Sequence, residues 1–187
     1  GLRLNFLDDR KRVLEAEKRE QKTPIFTIAT TAGTGAECTP CAVVTDEKTG
    51  VPWQIYHPEL LPTAAIIDAD HMKCLPKGLT REGGMGTLTR ALESYLSLCA
   101  TDYTDGFALF SCKNVLDHLL CAYDRLEEDE AARRKLADAS ALAGMAAANT
   151  FPGSVSSMAC ALSAWHHLPY GVSCGILLPE VMAYQVQ

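Results

Sequence analysis

The sequence predicts an α/β segment followed by an all-helical segment. Three short runs rich in apolar and β-branched residues lie in the first part of the chain, at 25–29, 42–45 and 64–68. Beyond them such runs nearly vanish, and apolar residues recur at spacings of three and four, which is typical of helices. We therefore place a domain boundary after residue 75, with an α/β part before it (1–75) and a helical part after it (76–187).

The composition is that of a folded globular protein with an acidic balance. Of the 187 residues, 48% are hydrophobic, which is enough for a sizeable core. The net charge of -6 argues against nucleic acid as a partner, because phosphate binding requires clustered Lys and Arg. No apolar run reaches the roughly 18 residues that a transmembrane helix needs. The eight cysteines have mostly small neighbours, so we expect reduced thiols and an intracellular setting, the cytoplasm or an organelle matrix.

The α/β part is predicted to begin with a helix and then to alternate strands with loops. Residues 2–20 mix apolar and charged side chains, as a partly exposed helix would, and Thr23-Pro24 ends it. The runs at 25–29 and 64–68 are apolar enough to be buried strands. The first leads into a loop over 30–35 that combines threonines with glycines. Such a loop can present N–H and hydroxyl groups to an anion, although a sharp turn after a strand explains the same residues.

The helical part is predicted to contain closely packed helices. The first is entered through Gly83-Gly84, since glycines let a backbone approach another segment. The small residues over 136–149 predict close packing on several sides, and the acidic run over 127–130 suits the start of that helix. One further helix is expected at 154–168, and a turn over 169–171 leads from it into a final apolar segment at 172–183. An apolar stripe is expected to face the core: Leu109, Cys112, Leu116, Leu119 and Tyr123.

These motifs resemble those of the iron-dependent (group III) alcohol dehydrogenases. The loop over 29–37 is similar to the signature loop of that family. Gly83-Gly84, followed by the residues over 91–95, resembles the family helix that carries metal ligands. The residues over 2–12 are most similar to the alcohol dehydrogenase module of bifunctional aldehyde-alcohol dehydrogenases. The resemblance covers essentially the whole chain.

The resemblance implies a dehydroquinate synthase-like fold, in which an α/β nucleotide-binding domain precedes an all-helical, metal-binding domain. It implies that the chain holds the end of the first domain and a truncated second domain, as a middle slice of a longer protein. We expect no bound cofactor, although the resemblance allows NAD(P) against the glycine-containing loop. The candidate cofactor-binding residues are Thr30, Thr31, Gly33 and Thr34.

The resemblance also locates a metal site, where the family uses one Asp and three His to bind iron or zinc. The Asp position holds Gly86, and the three His positions hold Arg90, Ser156 and Tyr170. Glycine has no side-chain ligand, and the permanent charge of Arg90 would repel a cation. We therefore expect neither iron nor zinc here and predict no catalytic residue of the metal-dependent kind.

Other residues near the implied site have also changed or offer weaker alternatives. Cys160 stands at a further active-site His position of the family, and Pro52 stands where the family often has a lysine near the cofactor. Helix capping, a strand end and buried thiols explain the remaining candidate clusters more simply than metal or redox chemistry does. These clusters are Cys160 with His167, then Asp68 with Asp70 and His71, and Cys38 with Cys41.

Three functions stay open. The one we favour is a family member that has lost metal-dependent catalysis and serves as a structural or accessory subunit, with other protein subunits as partners. The second is an active NAD(P)-dependent alcohol or aldehyde oxidoreductase with an altered site, in which Tyr170 or a His pair supplies an acid. The third is a nucleotide-binding module without catalysis that uses the loop over 30–35.

Overall fold

A computed structural model describes residues 23–48, 50, 52–124 and 129–185. The predicted helix over 2–20 lies outside the described residues. Four strands come first: β1 (Phe26–Ile28), β2 (Cys41–Thr45), β3 (Pro52–Tyr56) and β4 (Ala64–Ile66). Five α-helices follow in the described part: α1 (Lys77–Tyr95), α2 (Asp102–Asp124), α3 (Glu130–Thr150), α4 (Ser154–His166) and α5 (Tyr170–Gln185). This order confirms an α/β region followed by a helical domain, whereas the boundary after residue 75 stays a prediction.

The strands form two separate pairs. β1 and β4 are parallel, with Phe26 opposite Ala64, and β2 and β3 are antiparallel, with Cys41 opposite Tyr56. The prediction that β1 and β4 are buried was wrong, because Phe26 is 63% exposed and Ile66 is 48% exposed. Their apolar composition predicts strand structure correctly, but burial also requires something to pack on the strand. Within the described residues this ladder has only two strands.

Helix α1 begins earlier than predicted, at Lys77 rather than at the paired glycines. Gly83 and Gly84 lie inside it, where they allow close packing rather than entry into the helix. A Cβ atom at Gly83 would lie 1.9 Å from the carbonyl oxygen of Ala32, and one at Gly84 would lie 2.3 Å from the Leu119 side chain. The glycines therefore bring α1 against both the threonine-containing loop and α2.

Helix α2 buries the predicted stripe only in part, since Cys112 is buried but two of the leucines are not. Leu109 and Leu116 are 52% and 68% exposed, whereas Ala108 and Val115 are buried one position earlier along the chain. The physical reason lies in α3, whose small side chains let α2 approach closely through its own small residues. Ser111 on α2 donates a hydrogen bond to the Ala139 carbonyl of α3 at 2.8 Å. The prediction of close packing over 136–149 is thereby confirmed.

Helices α4 and α5 pack against each other, and both also contact α1. His167, whose backbone is left-handed (φ 53°), directly follows α4, and α5 begins three residues later at Tyr170. None of the helices in the described part of the chain combines the length and hydropathy that crossing a bilayer would require. The turn between α4 and α5 brings Tyr170 back over α1.

Candidate functional site

The four positions implied as metal ligands come together where α1, α4 and α5 meet. Gly86 and Arg90 lie one turn apart on α1, Ser156 lies in the first turn of α4, and Tyr170 begins α5. A Cβ atom at Gly86 would lie 3.6 Å from the Tyr170 ring. The Tyr170 hydroxyl is 2.9 Å from the Ser156 hydroxyl. The fold therefore still assembles these positions, but the side chains there contact one another.

Glu93 is the residue at this site that the sequence reasoning did not single out. It is buried, 7% exposed, and its carboxylate accepts a hydrogen bond from the Ser156 backbone N–H at 3.0 Å and another from the Ser156 hydroxyl. An acidic group at this point offsets the positive end of α4. Gly153 leaves the space, since a Cβ there would lie 2.6 Å from Glu93 Oε1. Gly86, Arg90 and Glu93 stand at positions i, i+4 and i+7 of α1. This spacing is the sequence signal for Glu93, because it puts Glu93 on the same helix face as the two implied ligand positions.

The direction of the hydrogen bonds follows from counting protons. Ser156 has one hydroxyl proton, and it is donated to the Glu93 carboxylate. The contact between Ser156 and Tyr170 is therefore donated by the Tyr170 phenol, which completes the chain Tyr170 to Ser156 to Glu93. This polar chain links α5 to α4 and α4 to α1. A side-chain network of this kind holds its helices firmly only while every member is present.

The phenol of Tyr170 is held in its neutral form. Burial raises its pKa well above the usual range for tyrosine, and the nearby Cys174 raises it further. The hydrogen bond with Ser156 and the charge of Arg90 act in the opposite direction but are the smaller effects. Tyr170 is thus a hydrogen-bond donor over the physiological pH range, which suits its place at the head of the chain.

Arg90 is the cation of the site. Its side chain lines a narrow cavity of about 10 Å³, room for about one water molecule, together with Gln54, Tyr56 and Glu93. Among the described residues, no carboxylate lies within 4.0 Å of its guanidinium group. The positive charge lowers the pKa of Glu37, although burial raises that pKa overall. A fixed cation in this cavity would favour an anion or a water molecule and disfavour a metal ion.

The candidate cofactor-binding residues border the same site from the other side. Thr30, Thr31 and Thr34 are exposed, and Gly33 is buried against α1. A cavity of about 180 Å³ is lined by residues from the loop, from α1 and from the start of α5: Thr31, Gly33, Thr34, Leu79, Glu82, Gly83, Gly86, Tyr170 and Gly171. The loop therefore shares one cavity with two of the implied ligand positions, Gly86 and Tyr170.

Much of the hydrogen-bonding capacity of the loop is used within the protein. The N–H groups of Gly33 and Gly35 both donate to the Ser140 hydroxyl, at 2.7 and 3.1 Å. Thr87 on α1 donates to the Gly33 carbonyl at 2.9 Å. These bonds fix the loop between α1 and α3. Among the exposed threonines, Thr34 accepts a hydrogen bond from the Ala36 N–H at 3.4 Å through its hydroxyl oxygen. The role of the threonines in cofactor binding stays a prediction.

The residue types at the site do not fit iron or zinc. Both ions are held by imidazole, thiolate or carboxylate groups, usually three or four together. The described residues contain no group of three or more His, Cys, Asp or Glu that could hold a metal ion. Glu93 is the carboxylate in the described lining of the Arg90 cavity, and both of its oxygens already accept hydrogen bonds from Ser156.

The weaker alternative clusters have other partners. The Cys160 thiol accepts a hydrogen bond from Gln54 at 3.2 Å, and His167 ends α4. Asp70 pairs with Lys73 at 2.8 Å, while His71 is 3.9 Å from Asp68. Cys38 and Cys41 form no disulfide bond with each other. Local ion pairs, a helix end and reduced thiols account for these residues.

Comparison with known protein families gives two matches that together cover most of the chain. Residues 80–187 match the model of the Fe-containing alcohol dehydrogenase family, C-terminal. Residues 4–69 match the model of iron-containing alcohol dehydrogenase. The first match includes all four positions at which the resemblance implies metal ligands.

Individual relatives agree with the family matches. The aldehyde-alcohol dehydrogenase of Clostridium acetobutylicum is 40% identical over 98% of this chain, which corresponds to 21% of that protein. The chain thus spans about a fifth of the length of the aldehyde-alcohol dehydrogenases it matches.

Solved structures share the fold. An iron-containing alcohol dehydrogenase from Thermotoga maritima superposes with a TM-score of 0.83 and 31% identity, over 92% of this chain and 46% of that one. Sulfoacetaldehyde reductase from Bifidobacterium kashiwanohense, solved in complex with NAD+, gives a TM-score of 0.80 and 32% identity over 84% of this chain and 42% of that one.

Proposed function

The chain belongs to the Fe-containing alcohol dehydrogenase family, and we propose that it has lost metal-dependent catalysis and serves as a structural or accessory subunit of a larger assembly. The observation that carries this proposal is the hydrogen-bond chain from Tyr170 through Ser156 to Glu93. It runs through two of the positions at which the family resemblance implies metal ligands. Arg90 adds a fixed positive charge at a third position.

The hydrogen-bond chain takes over a structural task that a bound metal would perform. A metal ion held by residues of several helices cross-links those helices and stabilises the fold. In this protein Tyr170, Ser156 and Glu93 link the same three helices without an ion. The Tyr170 ring also covers Gly86, at the fourth position. The helical domain is therefore expected to be stable in the presence of a chelator.

The first test is an assay for turnover with and without added metal. The purified chain is incubated with NADH or NADPH and a series of short aldehydes, first with a chelator and then with ferrous iron or zinc under anaerobic conditions. No metal-dependent oxidation of the nicotinamide is expected. Turnover that appears with the metal and disappears with the chelator would contradict the proposal. An iron-dependent relative assayed in parallel shows that the conditions support the reaction.

The accessory role is supported by apolar side chains on the surface. Helix α2 exposes Leu116 and Leu120, which are 68% and 72% accessible, and β1 exposes Phe26. Apolar residues grouped on one helix face are typical of surfaces that another subunit covers. Affinity purification of the tagged full chain from its native cell tests this role. Stoichiometric recovery of other subunits is expected, and recovery of the chain as a monomer would contradict it.

A second function, an oxidoreductase with an altered site, is favoured by the position of Tyr170. Tyr170 lines the 180 Å³ cavity that Thr31 and Thr34 also line. Its phenol would donate to the oxygen of a carbonyl substrate by exchanging its hydrogen bond with Ser156 for one to that oxygen. This function predicts nicotinamide-dependent turnover that resists chelators and is lost in Tyr170→Phe. The same assay series therefore separates the two functions.

Nucleotide binding without catalysis is the third function. Against it stands the use of the Gly33 and Gly35 N–H groups by Ser140, since these groups would otherwise be the natural phosphate donors of the loop. Titration of NAD and NADP into the chain decides the question. Saturable binding that weakens in Thr34→Val would support this function.

A further inference from the structure

We propose that Cys41 and Cys160 form a reversible oxidative modification site, at which a peroxide joins the two thiols in a disulfide bond. Cys41 is the first residue of β2, and Cys160 lies in the middle of α4. Both thiols are free and half-buried in the structure. Such a site requires neither a metal nor a nicotinamide, so it goes beyond the proposed function.

The register of the β2–β3 hairpin places Cys41 beside two side chains of β3. Cys41 lies directly opposite Tyr56, and Gln54 comes two residues before Tyr56 on the same strand. Since side chains two residues apart share a face of a strand, all three stand on one face of the hairpin. Opposite and diagonal residues on such a face lie about 5 to 8 Å apart. The Tyr56 phenol is within hydrogen-bonding reach of the Cys41 thiol.

Cys160 reaches the same face of the hairpin from α4. Its thiol accepts a hydrogen bond from the Gln54 side-chain amide at 3.2 Å. Burial raises the pKa of Cys160, the Gln54 hydrogen bond and the charge of Arg90 lower that pKa, and an ionised Cys41 raises it again. Charges affect each other in this way only over about 10 Å or less. The two thiols are therefore neighbours where the hairpin meets α4.

Arg90 makes the surroundings of this pair suitable for oxidation. The thiolate is the form that reacts with peroxides, and reactive cysteines occupy partly exposed sites close to a positive charge. Arg90 lines the narrow cavity together with Gln54 and Tyr56, so its guanidinium group borders the same face of the hairpin. By contrast, Cys112 is buried on α2, and burial raises its pKa to about 11. We expect Cys112 to stay reduced.

Two other cysteines lie near the pair but have different surroundings. Cys38 lines the wide cleft next to Met145 and Asn149, and the described lining of that cleft does not include Cys41. Cys174 is fully buried on α5, where its thiol is hydrogen-bonded with Tyr170. Cys160 is therefore the expected partner of Cys41.

The reaction consumes one hydrogen peroxide molecule for each disulfide bond. One thiolate attacks a peroxide oxygen, the O–O bond breaks, and a sulfenic acid and hydroxide are formed. The second thiolate then attacks the sulfur of the sulfenic acid, and the S–O bond breaks as hydroxide leaves. The two hydroxide ions take up the two thiol protons as water. The sulfur atoms lose two electrons and the peroxide gains them, and a thiol reductant such as glutathione reverses the change.

The experiment treats the reduced full chain with hydrogen peroxide and then blocks the remaining thiols with iodoacetamide in denaturant. Digestion without a reductant and mass spectrometry identify the linked peptides. The peptide that joins Cys41 to Cys160 is expected to be at least tenfold more abundant than any other cysteine pair and to disappear with dithiothreitol. A different dominant pair, or oxidation confined to the exposed Cys74 and Cys99, would overturn the proposal.

The melting temperature provides a second readout. A disulfide that closes a loop of roughly a hundred residues restricts the unfolded chain, so peroxide is expected to raise the melting temperature by about 5 °C or more. Cys41→Ser keeps the contact between Gln54 and Cys160 and should remove this increase. Cys99→Ser, at an exposed position, is the matched control and should keep the increase. An increase that persists in Cys41→Ser, or that is absent from the unaltered chain, would refute the assignment.

Discussion

At the residue scale, Ser156 connects three helices through one side chain and one backbone N–H. Its hydroxyl accepts from Tyr170 on α5 and donates to Glu93 on α1, while its own backbone belongs to α4. Serine suits this position because a hydroxyl can accept and donate at the same time. An imidazole that held a metal ion here could not also make both contacts.

Glu93→Ala is expected to destabilise the protein by about 2 to 3 kcal/mol. The change leaves the buried N–H and hydroxyl of Ser156 without an acceptor, and each buried unsatisfied group costs about 1 to 3 kcal/mol. Urea unfolding followed by circular dichroism measures the difference. Glu180→Ala, at an exposed position on α5, is the matched control and is expected to change the unfolding free energy by less than about 0.5 kcal/mol. Equal effects of the two variants would refute the structural role of Glu93.

The pH dependence of stability is expected to report Tyr170. Burial raises its folded-state pKa above the value of about 10 found in an unfolded chain. The neutral phenol therefore stabilises the fold fully below about pH 10, and this stabilisation is lost as the pH rises through the folded-state pKa. In Tyr170→Phe, the unfolding free energy should fall less steeply above pH 10. Tyr184→Phe, which alters a side chain that is 79% exposed, should follow the unaltered chain.

The site residues could be predicted from the sequence only in part. The family motifs located Gly86, Arg90, Ser156 and Tyr170, and the fold does bring these positions together. What the substituted side chains do could not be predicted, because their contacts depend on the angle at which α4 and α5 meet α1. Glu93 was missed for the same reason, because it lies on α1 and caps α4. The residue it contacts there, Ser156, is 63 residues further along the sequence.

At the element scale, α1 is the helix on which the others are arranged. Its glycines lie where neighbouring segments come closest, with Gly83 against the loop and Gly84 against α2. One side of α1 therefore packs closely against the threonine-containing loop. On the other side it carries Arg90 and Glu93 toward α4 and α5.

Gly83→Ala and Gly78→Ala are expected to have opposite effects on stability. An added methyl group at Gly83 would overlap the Ala32 carbonyl oxygen, and overpacking against backbone costs about 1 to 3 kcal/mol. At Gly78 the nearest atom is the end of the Glu82 side chain at 3.9 Å, so alanine should stabilise the helix by about 0.5 to 1 kcal/mol. Urea midpoints of the two variants provide the comparison. A neutral Gly83→Ala would show that α1 does not depend on this contact.

Secondary structure was more predictable than burial. Strands and helices follow from local composition and spacing, and most of the predicted segments are present, although β3 was missed. The apolar stripe on α2 was wrong at Leu109 and Leu116, because large side chains usually mark the buried face, whereas here the alanine-rich α3 favours small residues on the buried face. The exposure of β1 was likewise not readable, since it depends on what packs against the strand.

At the scale of the whole molecule, the buried core lies among α1, α2 and α3, and large apolar side chains stay on the outside. Val115, Ala122 and Leu136 form one buried cluster, while Leu116 and Leu120 point outward from the same α2 helix. A helix with apolar residues on both faces is expected to contact another protein surface. This arrangement is consistent with a role as a subunit.

Leu116→Glu combined with Leu120→Glu is expected to disrupt assembly without unfolding the chain. Both side chains are mostly exposed, so their replacement should cost little folding free energy while placing charges in the contact surface. Sedimentation velocity of the native assembly measures the change in mass. Leu98→Glu, at a fully exposed position between α1 and α2, is the control. Unchanged sedimentation of the double variant would argue against this face as a contact surface.

The loss of the metal site is tested most directly by calorimetric titration of zinc and of ferrous iron, the latter without oxygen, into the full chain. The same titrations are made with a variant that carries Gly86→Asp, Arg90→His, Ser156→His and Tyr170→His together. We expect no saturable binding at the site in the unaltered chain and one bound ion per chain in the variant, because the scaffold is kept and only the ligands are missing. Stoichiometric binding by the unaltered chain that is lost in Glu93→Ala would contradict the proposed loss of the metal centre.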